Sequence, residues 1–391
     1  MVHHPSPSPV HAPPARPQPA AGDRQSLLNA RIFRRLMPLL VLSYVISFID
    51  RTNIALAKSH IEVDLGISAA AYGLGAGLFF LSYALLEVPS NLIMHRVGAR
   101  FWITRIMVTW GLLSAGMAFI TGETSFYVMR VLLGAAEAGL FPGVMLYLTY
   151  WFGREERARA IGYFLLGVCI ANILSGPVGG ALLQMDGFLG WHGWQWMFVI
   201  EGLPAVALAW VVWKKLPDGP ASAPWLTAAE SREVLQRLQA EQDQQASAGQ
   251  VGHSLRDCLR DRQIWLAILV YFCHQISIYT VIFFLPGIIG TYGQLSPLQI
   301  GTLNSVPWIA AAIGAAWLPR FATHPQRCRR MLLAGLGTMA AGLLLAALAG
   351  KASPALGLLG FSLTALMFFV VQSVVFLFPA SRLAGAGLAG G

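Results

Sequence analysis

Long apolar runs recur along this chain and constrain its fold more than any other feature. About 20 apolar residues are needed for one α-helix to cross a bilayer. The sequence of 391 residues contains ten such runs, most of them separated by short polar loops. Their predicted ranges are 36–57, 71–94, 102–120, 126–150, 160–183, 197–213, 264–289, 300–318, 331–348 and 355–378. We therefore expect an all-α membrane protein, with the small-residue run at 383–391 beginning an eleventh span.

Charge content supports this class. Only 12% of the residues are charged and 56% are hydrophobic, whereas a soluble domain carries about 25% charged residues. The net charge of +9 could indicate nucleic-acid binding, but the basic residues lie in short loops between apolar runs. That placement is typical of membrane topology, so we expect the bilayer as a partner and no nucleic acid.

Loop charges also predict the orientation. The loops after the even-numbered spans contain many basic residues, including Arg96, Arg100, Arg154, Arg157, Arg320 and Arg330. The loops after the odd-numbered spans hold only Lys58 and Lys351. Because positive loops stay in the cytoplasm, these loops and the N-terminus are expected to be cytoplasmic.

Composition divides the chain into four parts. Residues 1–30 form a predicted disordered, Pro-rich cytoplasmic tail, since they lack the apolar core of a signal peptide. Residues 31–214 form a bundle of six helices, and 263–391 form a second, incomplete bundle. Between them, 215–262 is a cytoplasmic linker, in which Thr227 and Glu230 match a helix capping box.

Motifs for other chemistries are absent from the sequence. The four cysteines form neither a CxxC pair nor a Cys/His metal spacing. No GxxxxGK[ST], GxSxG or HExxH motif occurs. We therefore predict no metal, no cofactor and no enzymatic activity.

Ionisable residues inside the predicted spans are the candidate functional residues. Asp50 and Arg51 fall in span 1, and Arg130 and Glu137 in span 4. Arg130 and Glu137 are seven residues apart, which places them on one helix face. Such groups are costly in a bilayer and usually functional.

These segments carry a family resemblance. They are DRTNIALA from Asp50, RVLLGAAEAGLFPG from Arg130, YWFGREERARA from Tyr150 and GWHGWQWMFVIEGLPA from Gly190. Together with six spans, a long loop and a second set of spans, they resemble the anion:cation symporter family of the major facilitator superfamily. The loop NLIMHRVGAR from Asn91 matches that superfamily's signature weakly, with His95 at the usual acidic position. The family has twelve spans, so the second bundle is expected to be incomplete.

The resemblance implies the major facilitator fold and roles for the charged residues. Its members carry organic anions such as sugar acids, tartrate, phthalate and hydroxyphenylacetate with protons. Arg51 would hold the substrate carboxylate through its planar fork, or form a structural ion pair with Asp50 or Glu137. Asp50 and Glu137 would carry protons, or form a fixed salt-bridge network. Arg130 would pair with one of these acids, or act as an interfacial anchor extending outward.

Other polar residues in the spans are candidate substrate ligands or hydrogen-bonded contacts between helices. They are Tyr44, Tyr83, Asn172, Gln275, Tyr279 and Gln372. His274 in span 7 is a further titratable group, although simple hydrogen bonding is the commoner role.

The expected function is uptake of a small organic anion with protons, by a monomer in the inner membrane of a bacterium. Three alternatives remain: export or uniport of the anion without protons, an inactive chain that only inserts, and an intramembrane enzyme. The last would need a catalytic dyad or metal set, and none is evident in the sequence.

Overall fold

The computed structural model of the protein describes residues 21–247, 262–318, 325–349 and 352–383. Over these ranges the chain is helical and contains no strand. The helices are α1 (Ala21–Leu65), α2 (Ala69–Val97), α3 (Ala99–Gly116), α4 (Glu123–Glu137), α5 (Leu140–Thr149), α6 (Arg154–Leu183), α7 (Gly193–Lys215), α8 (Ala228–Ser247), α9 (Arg262–Gly290), α10 (Pro297–Trp317), α11 (Pro325–Ala349), α12 (Pro354–Leu366) and α13 (Phe368–Leu383).

The predicted spans match these helices in order. Nine segments of the described residues are long and apolar enough to cross a membrane, with α4–α5 and α12–α13 each forming one of them. Helix α10 corresponds to the remaining predicted span and lies along α6. The all-α membrane fold is thus confirmed, while most of the run at 383–391 lies outside the described residues.

The predicted tail is wrong in its last ten residues. Helix α1 begins at Ala21, because Leu28, Ile32 and Leu36 recur at helical spacing and are buried. Residues 1–20 lie outside the described part of the chain.

The helices form two groups on either side of the linker. In the first, α3 packs on α7, α2 on α4, and α1 on α6. In the second, α10 and α11 both pack on α12. The groups meet mainly where α6 crosses α10, with a smaller contact between α1 and α9.

Two glycines permit the closest approach between the groups. A Cβ on Gly176 would lie 2.1 Å from the carbonyl oxygen of Gly301, and one on Gly301 would lie 1.9 Å from that of Gly176. Only glycine fits such a backbone contact. Nearby, Ser305 Oγ donates to the carbonyl of Ile173 at 2.7 Å.

The two ends of the molecule differ. We call the end where α7 stops and α8 lies the linker end, and the opposite one the far end. The Gly176–Gly301 contact lies in the far half of α6 and joins the groups there, beside a cavity of about 380 Å³ lined by α1, α6, α9 and α10. A cavity of about 490 Å³ lies between them in the linker half, lined by α6, α10 and α13. Its walls include Tyr163, Cys169, Ala315 and Gln372.

Candidate functional site

An interruption in span 4 positions Glu137. Helix α4 ends at this residue, Ala138 leaves the helical conformation, and Gly139 takes a φ of +93° before α5 begins. Ser90 Oγ donates to the freed carbonyl of Ala138 at 2.8 Å. A positive φ is accessible to glycine at little cost, so the sequence Glu-Ala-Gly places a carboxylate at a helix break inside the membrane.

Glu137 forms a buried ion pair with Arg51. Its Oε1 atom lies 2.6 Å from Nη2 of Arg51 and accepts a hydrogen bond from Ser47 Oγ at 2.5 Å. The Glu137 side chain is 1% exposed and that of Arg51 is 9% exposed. Of the four charged residues that the sequence singled out in spans 1 and 4, Arg51 and Glu137 therefore meet directly.

Aromatic rings surround the guanidinium of Arg51. Its carbon lies 4.9 Å from the ring centre of Phe48, 5.6 Å from Phe79 and 5.1 Å from Tyr83. Aromatic faces attract a cation, most strongly when water is excluded. The Nε atom of Arg51 is buried without a hydrogen-bond partner, so part of the planar fork is unused in this conformation.

Arg130 is 1% exposed, which makes the outward-pointing interfacial anchor wrong. Its guanidinium carbon lies 4.5 Å from the Phe79 ring centre, and Nε donates weakly to the carbonyl of Gly75 at 3.4 Å. One terminal nitrogen has no partner. Arg130 shares Phe79 with Arg51, and the structure contains no ion pair between Arg130 and Glu137 in its described residues.

Asp50 points away from its neighbour Arg51. It accepts hydrogen bonds from Ser114 Oγ on α3 and from Asn53 Nδ2, the latter at 3.2 Å. The carboxyl is buried and lies in a second polar cluster beside the Arg51–Glu137 pair.

Three tyrosines of the predicted set lie close enough to Arg51 to interact with its charge. They are Tyr44, Tyr83 and Tyr279. Tyr44 stacks on Phe164 with ring centres 4.1 Å apart. Tyr279, from the second group of helices, contacts Phe80 with ring centres 4.8 Å apart.

The amide candidates are more dispersed. Asn172 donates to the carbonyl of Val168 on its own helix at 2.8 Å, so its amide N–H group is engaged within α6. Gln275 has a buried carbonyl oxygen without a partner, and Gln372 lines the linker-half cavity. His274 bonds the carbonyl of Phe368 through Nε2 at 2.8 Å, while its buried Nδ1 has no partner.

Sequence reasoning missed Glu201, although it lies in a quoted motif. The side chain is 5% exposed and faces Asp50 and Asn53. A lone carboxylate in an apolar run was the available signal. Ser47 and Ser114 were also missed, because serines are common in membrane helices. In the described ranges, no group of three or more His, Cys, Asp or Glu side chains could hold a metal ion.

Two packed groups of membrane helices, the first with a buried arginine–glutamate pair, are typical of multi-span transporters. Residues 40–391 match the Major Facilitator Superfamily, and the chain belongs to that superfamily.

Its relatives are membrane transporters and not enzymes. Inner membrane transport protein RhmT of Escherichia coli is 38% identical over 91% of this chain and 82% of its own length. A candidate tartrate transporter of Agrobacterium vitis is 45% identical over 74% of this chain. The match spans 66% of that relative's length. A quinolone resistance transporter of Acinetobacter baumannii is 41% identical over 91% of this chain and 81% of its own length.

Solved structures agree on the fold. The E. coli xylose transporter XylE, in a partially occluded inward-open conformation, gives a TM-score of 0.71 at 14% identity. The match covers 92% of this chain and 86% of that one. The major facilitator fold predicted from the sequence is confirmed.

Proposed function

We propose that the protein takes up a small organic anion together with protons, by alternating access across a bacterial inner membrane. The observation that carries this proposal is the buried Arg51–Glu137 pair beside the break in span 4. Discontinuous helices near the membrane midplane form substrate and ion sites in secondary transporters. The similarity to candidate tartrate transporters favours a carboxylate as substrate.

Arg51 suits a carboxylate ligand. A guanidinium binds both carboxylate oxygens through two parallel hydrogen bonds, and Arg51 keeps its Nε without a partner. In the absence of substrate, Glu137 balances its charge at 2.6 Å. A substrate carboxylate would therefore compete with Glu137 for the same cation.

That competition supplies a route to coupling. Protonation of Glu137 removes its negative charge and releases Arg51 for the substrate. When the proton leaves, the carboxylate of Glu137 re-forms the ion pair and displaces the anion. A carrier with neither proton nor substrate keeps its ion pair and can return, whereas a carrier that holds the proton alone leaves Arg51 buried without a counter-charge and reorients slowly. Asp50, bonded by Ser114 and Asn53, is the second proton carrier in this scheme.

The described conformation fits the state that releases substrate. We assign the linker end to the cytoplasm, in keeping with the loop charges and the positive-inside pattern. The linker-half cavity then faces the cytoplasm, and the Gly176–Gly301 contact holds the groups together on the outer side. Gln372 in the cavity wall and Tyr279 near Arg51 are the contributions of the second group of helices to substrate binding.

Proteoliposomes test the proposal. An imposed proton gradient should drive uptake of one labelled acid from a panel containing tartrate, sugar acids and aromatic acids. Glu137→Gln should reduce the rate of this uptake about 100-fold, as expected for loss of a proton-transfer group. Counterflow exchange of the acid should continue in this variant. Glu123→Gln, at the exposed start of α4, is the matched control. Failure of a correctly folded chain to transport any of the acids would reject the proposal.

Export is the second candidate, because the quinolone resistance relative is 41% identical. An exporter would move the anion toward the far end and accumulate it inside inverted vesicles. Vesicles of known orientation distinguish the two directions. Accumulation driven by an inward proton gradient in right-side-out vesicles indicates uptake, and accumulation inside inverted vesicles indicates export.

A further inference from the structure

Glu201 is a buried acid that the scheme above does not use. It lies about two turns inside α7 from the far end, at a level between that end and Asp50. Neither carboxyl oxygen is accessible or has a donor in hydrogen-bonding geometry, although the Asn53 amide faces the carboxyl group. Gly179 of α6 borders Oε1, since a Cβ built there would lie 3.5 Å away. No ion pair to Glu201 is present among the residues described.

Within the described part of the chain, the surroundings of Glu201 contain one other acid and no contacting cation. Helix α1 contributes Asp50 and Asn53, and the Asn53 amide donates to Asp50 at 3.2 Å. Helix α3 contributes Ser114, which bonds Asp50, and α6 contributes the uncharged Gly179. Arg130 of α4 lies in the electrostatic environment of Asp50.

An anion in this position would be costly. A buried carboxylate that has only one nearby amide and no cation loses its hydration and gains little in return. Two carboxylates in one dry site also repel each other, so the Asp50–Glu201 pair retains a proton. A purely structural position would be filled more stably by an apolar side chain of similar size.

We propose that Glu201 is a proton-relay residue between the far end and Asp50, which deepens the proposed function by extending its proton path. The O–H bond of the Glu201 acid breaks and a new O–H bond forms on the Asp50 carboxylate when the two carboxyl groups come together, while the Asn53 amide donates a hydrogen bond to Asp50 and carries no proton itself. The negative charge moves from Asp50 to Glu201. Glu201 regains a proton from the far side when the α6–α10 contact opens.

Infrared spectroscopy tests the relay without any substrate. Glu201→Gln should remove one carboxylic-acid C=O band that Glu123→Gln retains, and Glu201→Asp should shift it. The infrared band of protonated Asp50 is the one that Asp50→Asn lacks. After a pH jump, this band should appear about tenfold more slowly in Glu201→Gln than in the wild type. An unchanged rate, or an intact band, would overturn the proposal.

Transport of tartrate in proteoliposomes is the second readout. Gradient-driven uptake should fall about tenfold in Glu201→Gln and recover in Glu201→Asp, while counterflow stays within about twofold. Equal loss of counterflow would show a structural role and reject the relay. If wild-type protein transports neither tartrate nor the other acids, the proposed function fails, and the pH-jump rate still decides the relay.

Discussion

At the scale of single residues, Arg51 combines an ion pair with three aromatic contacts, and lysine would not reproduce them. An ammonium is a point charge without the planar fork. Arg51→Lys keeps the charge opposite Glu137 but loses the bidentate geometry, so binding of the acid that the wild type transports should weaken about tenfold or more. Isothermal titration calorimetry on the purified protein measures this loss.

The matched control is Arg105→Lys, since Arg105 stacks on Trp102 at 4.0 Å on α3, outside the Arg51–Glu137 site. Its binding should remain that of the wild type. Equal affinity in Arg51→Lys and Arg105→Lys would show that Arg51 does not hold the substrate.

At the scale of elements, the break between α4 and α5 depends on Gly139. Its φ is +93°, and a Cβ there would lie 2.1 Å from Ser90 Oγ. Gly139→Ala should destabilise the protein by about 1–3 kcal/mol, from strain and overlap together, and displace Glu137. Thermal unfolding in detergent measures it against Gly77→Ala, where a Cβ meets nothing within 4 Å. Equal melting temperatures would contradict this account.

Helix α8 is a second element with a testable attachment. Glu230 accepts a hydrogen bond from the backbone N–H of Thr227 at 2.9 Å and pairs with Arg31 of α1. The backbone donor, and then Arg31, hold the pKa of Glu230 below its usual range. The contact is therefore complete above the ordinary pKa of glutamate and is lost as the pH falls through the lowered one.

Glu230→Gln should accordingly speed amide hydrogen exchange in α8 about threefold at neutral pH, because the neutral amide still accepts from Thr227 but loses the charge that pairs with Arg31. Glu155→Gln, an exposed acid in the first turn of α6, should leave the exchange unchanged. Exchange in Glu230→Gln that matches the wild type would mean that other contacts hold α8.

At the scale of the whole molecule, the Gly176–Gly301 contact holds the two groups of helices together at the far end. Gly301→Trp would push α6 and α10 apart at the far end and favour the opposite conformation. We expect a cysteine at Ala315, in the linker-half cavity, to react with an impermeant maleimide about tenfold more slowly in this variant. The four native cysteines are replaced beforehand. Gly77→Trp is the control, and equal reactivity in both variants would refute the gating role.

Much of this architecture could be predicted from the sequence. The spans can be predicted because each must be apolar over the thickness of the bilayer. Charged residues within them, such as Arg51, Arg130 and Glu137, are therefore easily identified. The pairing of Arg51 with Glu137 was one of several alternatives, since a charge pattern along separate helices does not specify which side chains meet. Glu201 was missed for the same reason, because its lack of partners is a property of its neighbours on α1, α3 and α6.

The sequence by itself determined the membrane class, the order of the spans and the charged residues inside them. The physical reason is that lipid disfavours charged side chains, so long apolar runs mark the spans and any charge within a run stands out. Only the tertiary structure decided that Arg51 pairs with Glu137, that Arg130 is buried against Phe79, and that the two groups of helices approach most closely at Gly176 and Gly301. Those outcomes depend on helix rotation and close approach, which contacts between distant segments fix and no local pattern encodes.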